Sequence, residues 1–130
     1  TNPVLNKDFR YIEKQRGAML AKGWLLGLQF KTMLENWPNC LYMKGANHAI
    51  TLAAKLTSAL EAQSIPMLMP GQTNQLFPIL LNEDIERLAE RFAFETWEAV
   101  DENHTAIRFC TAWSTTEGEL NELIGAIQAL

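Results

Sequence analysis

The stretch "HTAIRFCTAW", residues 104–113, sets an arginine between Ile107 and Phe109 in a run that otherwise reads as a strand. Strand residues alternate faces, so Ile107, Phe109 and Thr111 share one face. Ala106, Arg108, Cys110 and Ala112 share the other. Small neighbours at Ala106 and Cys110 leave room beside the guanidinium. Its planar fork matches a carboxylate or a phosphate with two parallel hydrogen bonds. Burying it unpaired would cost several kcal/mol, on the order given for buried ions. It therefore meets an internal acid, with Glu95 and Glu98 on the preceding strand as candidates, or it meets a ligand. On the residues alone the internal pair is favoured.

A second set of cations, Lys14, Arg16 and Lys22, surrounds the small residues Gly17, Ala18 and Ala21. A solvated helix face is the plain reading. The functional reading is a cationic edge meeting a phosphate from another chain or domain, with the small residues permitting close backbone approach. His48 and His104 stand alone, without metal-ligand spacing, and read as structural or solvated. Cys40 and Cys110 sit in apolar surroundings and read as two reduced, buried thiols. No glycine-rich phosphate loop, nucleophile elbow or paired-carboxylate pattern is present. No residue of the chain is assigned a catalytic or metal-binding role. Trp97 and Trp113 read as core or interface residues.

These residues must be positioned by the elements around them. Residues 8–35 read as one long helix with Phe9, Ile12, Met19, Leu26, Phe30, Met33 and Leu34 as apolar positions, ended by Trp37-Pro38-Asn39. A second helix is expected over 46–63, with Ile50, Ala53, Leu56 and Leu60 as its buried stripe. "SIPMLMPGQTN" marks a loop with a possible short strand at 65–68. "NQLFPILL" reads as a strand whose Pro78 suggests an edge or a bulge. "NEDIERLAERF" reads as a helix capped by Asn82. "FETWEAV" and "TAIRFCTAW" are strands, and "STTEGELNELIGAIQAL" is a final helix whose Thr116 and Glu119 have capping-box spacing. The order α-α-(β)-β-α-β-β-α predicts an α+β fold. It is a small, mainly antiparallel sheet covered on one face by helices, with a long N-terminal helix. The expected organisation is a connecting helix over 1–40 and a small α+β domain over 41–130.

The 130 residues suffice for one domain with a real core, burying roughly 65–70% of the unfolded surface. A net charge of −4 argues against a general nucleic-acid-binding role. No apolar run approaches the roughly 20 residues that span a bilayer. The polar N-terminal "TNPVLNKDFRYIEKQRG" is unlike a signal peptide. A cytoplasmic location is expected, with no nucleic-acid or membrane partner.

"FRYIEKQRGAMLAKGWLLGLQF" resembles the helix that follows the catalytic region in the threonine aldolase and beta-eliminating lyase family. These are pyridoxal-phosphate enzymes of the aspartate aminotransferase fold type. "GANHAITLAAKLTSAL", "TNQLFPILL" and "AIRFCTAWSTTEGELNELIGAI" are similar to successive pieces of the family's small C-terminal domain. The resemblance covers essentially the whole chain and is most specific at its two ends. It implies that Arg108, on the strand before the final helix, binds the α-carboxylate of an amino-acid substrate, which reverses the preference for an internal pair. It implies pyridoxal 5'-phosphate as cofactor and a homo-oligomer, dimer or tetramer, as the assembly. There Lys14, Arg16 or Lys22 would reach the cofactor phosphate of a neighbouring subunit. Met19 matches the family's Met-Arg pattern, but Leu20 stands where arginine is common. None of Lys7, Lys14, Lys22, Lys31, Lys44 and Lys55 has the small-residue setting of the family's Schiff-base lysine. The resemblance therefore implies a C-terminal fragment, inactive alone and paired with an N-terminal cofactor-binding large domain. The implied reaction is cleavage of a β-hydroxy-α-amino acid such as threonine to glycine and an aldehyde. The alternative is a non-enzymatic α+β module for amino-acid binding or dimerisation.

Overall fold

The computed structural model describes residues 2–130. The chain divides into two compact units, residues 1–42 and 43–130.

The first unit holds three short helices, α1 (Pro3–Asn6), α2 (Phe9–Gln15) and α3 (Trp24–Leu34). The single helix expected over 8–35 is thus broken. The cause is local: Gly17 has φ +74°, Ala18 N–H donates to Glu13 O, and Gly17 N–H donates to Lys14 O. That is a glycine-terminated helix end with paired return bonds, closed by the conformation glycine adopts at least cost. None of these three helices contains a buried residue, and Phe9, Trp24, Leu26 and Phe30 are exposed.

The second unit carries the core. The helix α4 (Leu41–Ala62) starts five residues earlier than its sequence pattern suggests. Its buried stripe is Ala49, Leu52, Ala53, Leu56 and Leu60; Ile50, expected in that stripe, is exposed. Next come β1 (Gln75–Leu76), β2 (Ile79–Leu81), α5 (Asn82–Ala89), β3 (Glu95–Ala99), β4 (His104–Cys110) and α6 (Glu117–Ile127). The sheet is antiparallel with β4 in its middle. β3 pairs with one edge of β4, and β1 and β2 share the other.

The strand expected over 74–81 exists as those two pieces in one continuous register, Gln75 opposite Cys110 and Ile79 opposite Ala106. Pro78 separates them. Ile107 N–H donates to Pro78 O at 3.0 Å, but proline has no N–H to return. Pro78 is neither at an open edge nor in a bulge: Met67 bridges it from the far side, reducing the strand expected at 65–68 to one isolated pairing. Ile107 and Phe109 point to the helices, where they pack with Leu56, Leu60, Leu88, Leu120 and Ile127. The fold is therefore α+β, with helices on one face of a small antiparallel sheet.

Two helix starts differ in an informative way. Asn82 does not cap α5: Leu81 is the cap residue, and the Asn82 side chain joins Glu102 O and the Thr105 hydroxyl. Thr116 does cap α6. Its Oγ1 accepts from Glu119 N–H at 3.2 Å, and Glu119 Oε2 accepts from Thr116 N–H at 2.8 Å. The Thr116 N–H, then the Thr116 hydroxyl donating to Oε2 at 2.8 Å, hold the Glu119 carboxyl below its usual range. Thr116→Ala is expected to cost about 1 kcal/mol of stability, read as a lower urea midpoint with an unchanged slope.

The turn between β3 and β4 hangs on Asp101. Its Oδ1 accepts from Asn103 N–H at 2.7 Å and His104 N–H at 2.8 Å, and its carboxylate meets His104 Nδ1 at 2.9 Å. The Asn103 amide, then the His104 ring, hold the Asp101 carboxyl below its ordinary value of 3.8. A depressed folded-state value means stability that is full above the unfolded value and lost as pH falls through the folded one. Asp101→Ala should therefore lower Tm at neutral pH, and its deficit against the parent chain should shrink as pH falls below 3.8. Thermal scans of both proteins across that range check this.

Candidate functional site

Within the second unit the helices cover the Ile107–Phe109 face, so the opposite face is free of that unit's helices, although Ala106 and Phe77 on it are buried. Arg108 projects from the middle of it. Its side chain is 27% exposed. Nη2 donates to Glu95 Oε2, and Nη1 lies 3.5 Å from Gln75 Oε1. The guanidinium carbon stands 5.6 Å from the centre of the Trp97 ring, within cation–π range.

The register explains the grouping. Glu95 is the cross-strand partner of Arg108, and Gln75 is the partner of Cys110, two residues on along the same face. Thr96 pairs with Ile107 and Glu98 with Ala106, so Trp97 is the extra residue of a bulge. A bulge re-aims the side chain it carries. Here that chain is an indole whose ring meets both Arg108 and, edge to face at 5.0 Å, Phe77.

Glu95 was one of two acids expected beside Arg108, and it is the partner found; Glu98 pairs along the strand with Ala106 instead. Glu95 is 66% exposed. Such exposed pairs contribute about 0–1 kcal/mol, too little by itself to account for a cation on a central strand. The guanidinium has five N–H donors, and among the described residues only two acceptors meet it. Chemically, this is an anchored planar cation with donor capacity to spare, floored by an aromatic face. It suits a carboxylate.

Sequence reasoning missed Trp97 and Gln75. Trp97 reads from sequence as a core or interface residue; it is not in the core, and its contact with Arg108 is what the sequence does not reveal. The bulge that turns it carries no sequence signal. Gln75 follows from the register once Pro78 is seen to interrupt one strand. Cys110 also departs from expectation: it is exposed on this face, its Sγ 3.5 Å from Asn74 Nδ2, whereas Cys40 is buried. Strand alternation puts 110 on the face of 108, and that alternation was the usable signal.

Lys14, Arg16 and Lys22 lie in the other unit. Lys14 is in the last turn of α2, Arg16 caps its end, and Lys22 precedes α3. All three are exposed, and none is in an ion pair among the described residues. As cations they suit a phosphate, but the break at Gly17 means that they do not share one helical face. A Cβ at Gly17 would meet nothing within 4 Å, so this glycine serves the turn and not a close approach. Every lysine is exposed, and Lys55 is committed to Glu117 at 2.6 Å. No lysine here has the enclosed setting that a covalent cofactor bond needs.

His48 lies within α4, its Nε2 2.7 Å from Thr115 O, and His104 belongs to the Asp101 turn. Both make exposed hydrogen bonds, in keeping with the structural or solvated reading. No helix among the described residues is long and apolar enough to cross a membrane.

The α+β architecture is similar to part of a solved threonine aldolase. Among solved structures, the threonine aldolase of Leishmania major matches this chain at a TM-score of 0.82 and 38% identity over 92% of its residues. The resemblance read from the sequence is thereby shown. The chain spans 34% of that protein's length. No protein-family model matches the chain, and no curated protein does.

Proposed function

We propose that this chain is the substrate-carboxylate domain of a pyridoxal-phosphate-dependent lyase that cleaves threonine or a similar β-hydroxy-α-amino acid to glycine and an aldehyde. The observation that carries this reading is Arg108, an anchored cation with free donors on the sheet face opposite the second unit's helices, in a fold that matches a threonine aldolase.

The guanidinium of Arg108 donates to both oxygens of the α-carboxylate in a fork-to-carboxylate pair. Trp97 floors the guanidinium, and Gln75 braces it, so the cation keeps one orientation. A fixed carboxylate in turn fixes which bond at the α-carbon faces the cofactor, and much of the rate benefit is positional. The chemistry pyridoxal phosphate supplies when bound is an electron sink for the bond that breaks. Lys14, Arg16 and Lys22 offer exposed cations for its phosphate across a subunit boundary in a homo-oligomer. The covalent lysine belongs to a large domain outside these residues, so the chain alone is inactive.

Carboxylate recognition is tested with the full-length protein by comparing L-threonine with L-threoninamide, which lacks the charge. The reading requires a strong preference for the acid in kcat/KM, and one that disappears in Arg108→Ala. Equal handling of the two compounds by the parent enzyme would refute it.

A further inference from the structure

We infer that Glu95 is a resident competitor for the substrate's carboxylate, holding Nη2 of Arg108 until an amino acid displaces it. The inference rests on the reading of Arg108 as the carboxylate site, and it adds the residue that sets how tightly that site holds its ligand.

Glu95 has the same chemistry as the group that would replace it: a carboxylate on Arg108 Nη2. Its own hold is thin. The side chain makes no other hydrogen bond among the described residues, and it is 66% exposed. It stands on β3, which pairs only with β4, two residues before Trp97, the bulge residue that interrupts the ladder. A glutamate on an outer strand can swing into water by side-chain rotation alone.

Arg108 differs in each respect. It is on the central strand, its side chain is mostly covered, and it keeps the Trp97 ring and Gln75 Oε1 when Glu95 leaves. Displacement exchanges one carboxylate for another on a cation that stays put. Two consequences follow. The free site keeps Nη2 paired, and a substrate that takes Nη1 and Nη2 together in a fork must outcompete an internal anion for Nη2, which weakens apparent affinity.

The test uses the full-length enzyme with Glu95→Gln, which keeps the shape and removes the charge, beside Arg108→Ala. Acetate serves as the simple carboxylate probe, measured as a competitive inhibitor and by calorimetric titration. Glu95→Gln is expected to lower KM for L-threonine and the acetate dissociation constant about fivefold, the upper end for an exposed pair. It should leave kcat and the KM for L-threoninamide unchanged. A bystander or a purely structural glutamate would not split carboxylate from carboxamide. If Arg108→Ala raises KM but Glu95→Gln leaves it unchanged or also raises it, Glu95 is a bystander or a support. The inference then falls, while the carboxylate reading of Arg108 stands. If Arg108→Ala leaves both KM and acetate binding unchanged, the two fall together.

Discussion

On the proposed carboxylate role, replacing Arg108 by alanine in the full-length protein is expected to raise KM for L-threonine about 100-fold. Hydrogen bonds to charged groups contribute about 1.5–3 kcal/mol each. Losing roughly 3 kcal/mol from a two-bond carboxylate clamp corresponds to about two powers of ten in affinity. Because the clamp also aims the substrate, kcat should fall as well, so that kcat/KM drops further than KM alone indicates. Arg108→Lys keeps the charge but not the planar fork, and it should recover only part of the loss. The fold should survive both changes, since the Arg108 pair with Glu95 is partly exposed and contributes little to stability. Steady-state kinetics with a parallel urea curve separates the two effects.

The second large effect concerns the core. Leu60 is fully buried in α4, and Leu60→Ala is expected to cost about 3 kcal/mol through lost transfer energy and the cavity left behind. Ile50, on the same helix but 46% exposed, should cost less than about 0.5 kcal/mol when cut to alanine. Urea unfolding of the two variants compares them directly. Equal losses would mean that α4 faces the sheet differently from the packing described.

That pair of residues also marks what could be read from the sequence. Apolar spacing located the helix and three of its four stripe residues, Ala53, Leu56 and Leu60, and erred only at Ile50. Ile50, Ala53, Leu56 and Leu60 fit a stripe almost as well as Ala49, Leu52, Ala53, Leu56 and Leu60, and only contact with the sheet separates them. The face of Arg108 follows from a strict period of two, which tolerates no such drift. The capping box of α6 was legible because its two residues satisfy each other locally. Asn82 shows the reverse case: a good capping residue was drawn away by the Glu102–Thr105 turn, a tertiary competition that its neighbours in sequence do not reveal. The long first helix failed at Gly17, where a tolerated helix glycine and a helix-ending glycine look alike until the return bonds form. The aromatic floor of the site depended on a bulge, and bulges arise from pairing between strands and not from one strand's composition.

The most direct test is a cofactor titration of the full-length protein beside this 130-residue chain. Pyridoxal phosphate is added, its protein-bound absorbance band is recorded, and glycine is measured after L-threonine is supplied. The prediction is that the full-length protein alone forms the band and releases glycine together with an aldehyde, while the short chain does neither. A full-length protein that forms no band and releases no glycine would contradict the enzyme reading and leave a non-catalytic amino-acid-binding or dimerisation module in its place.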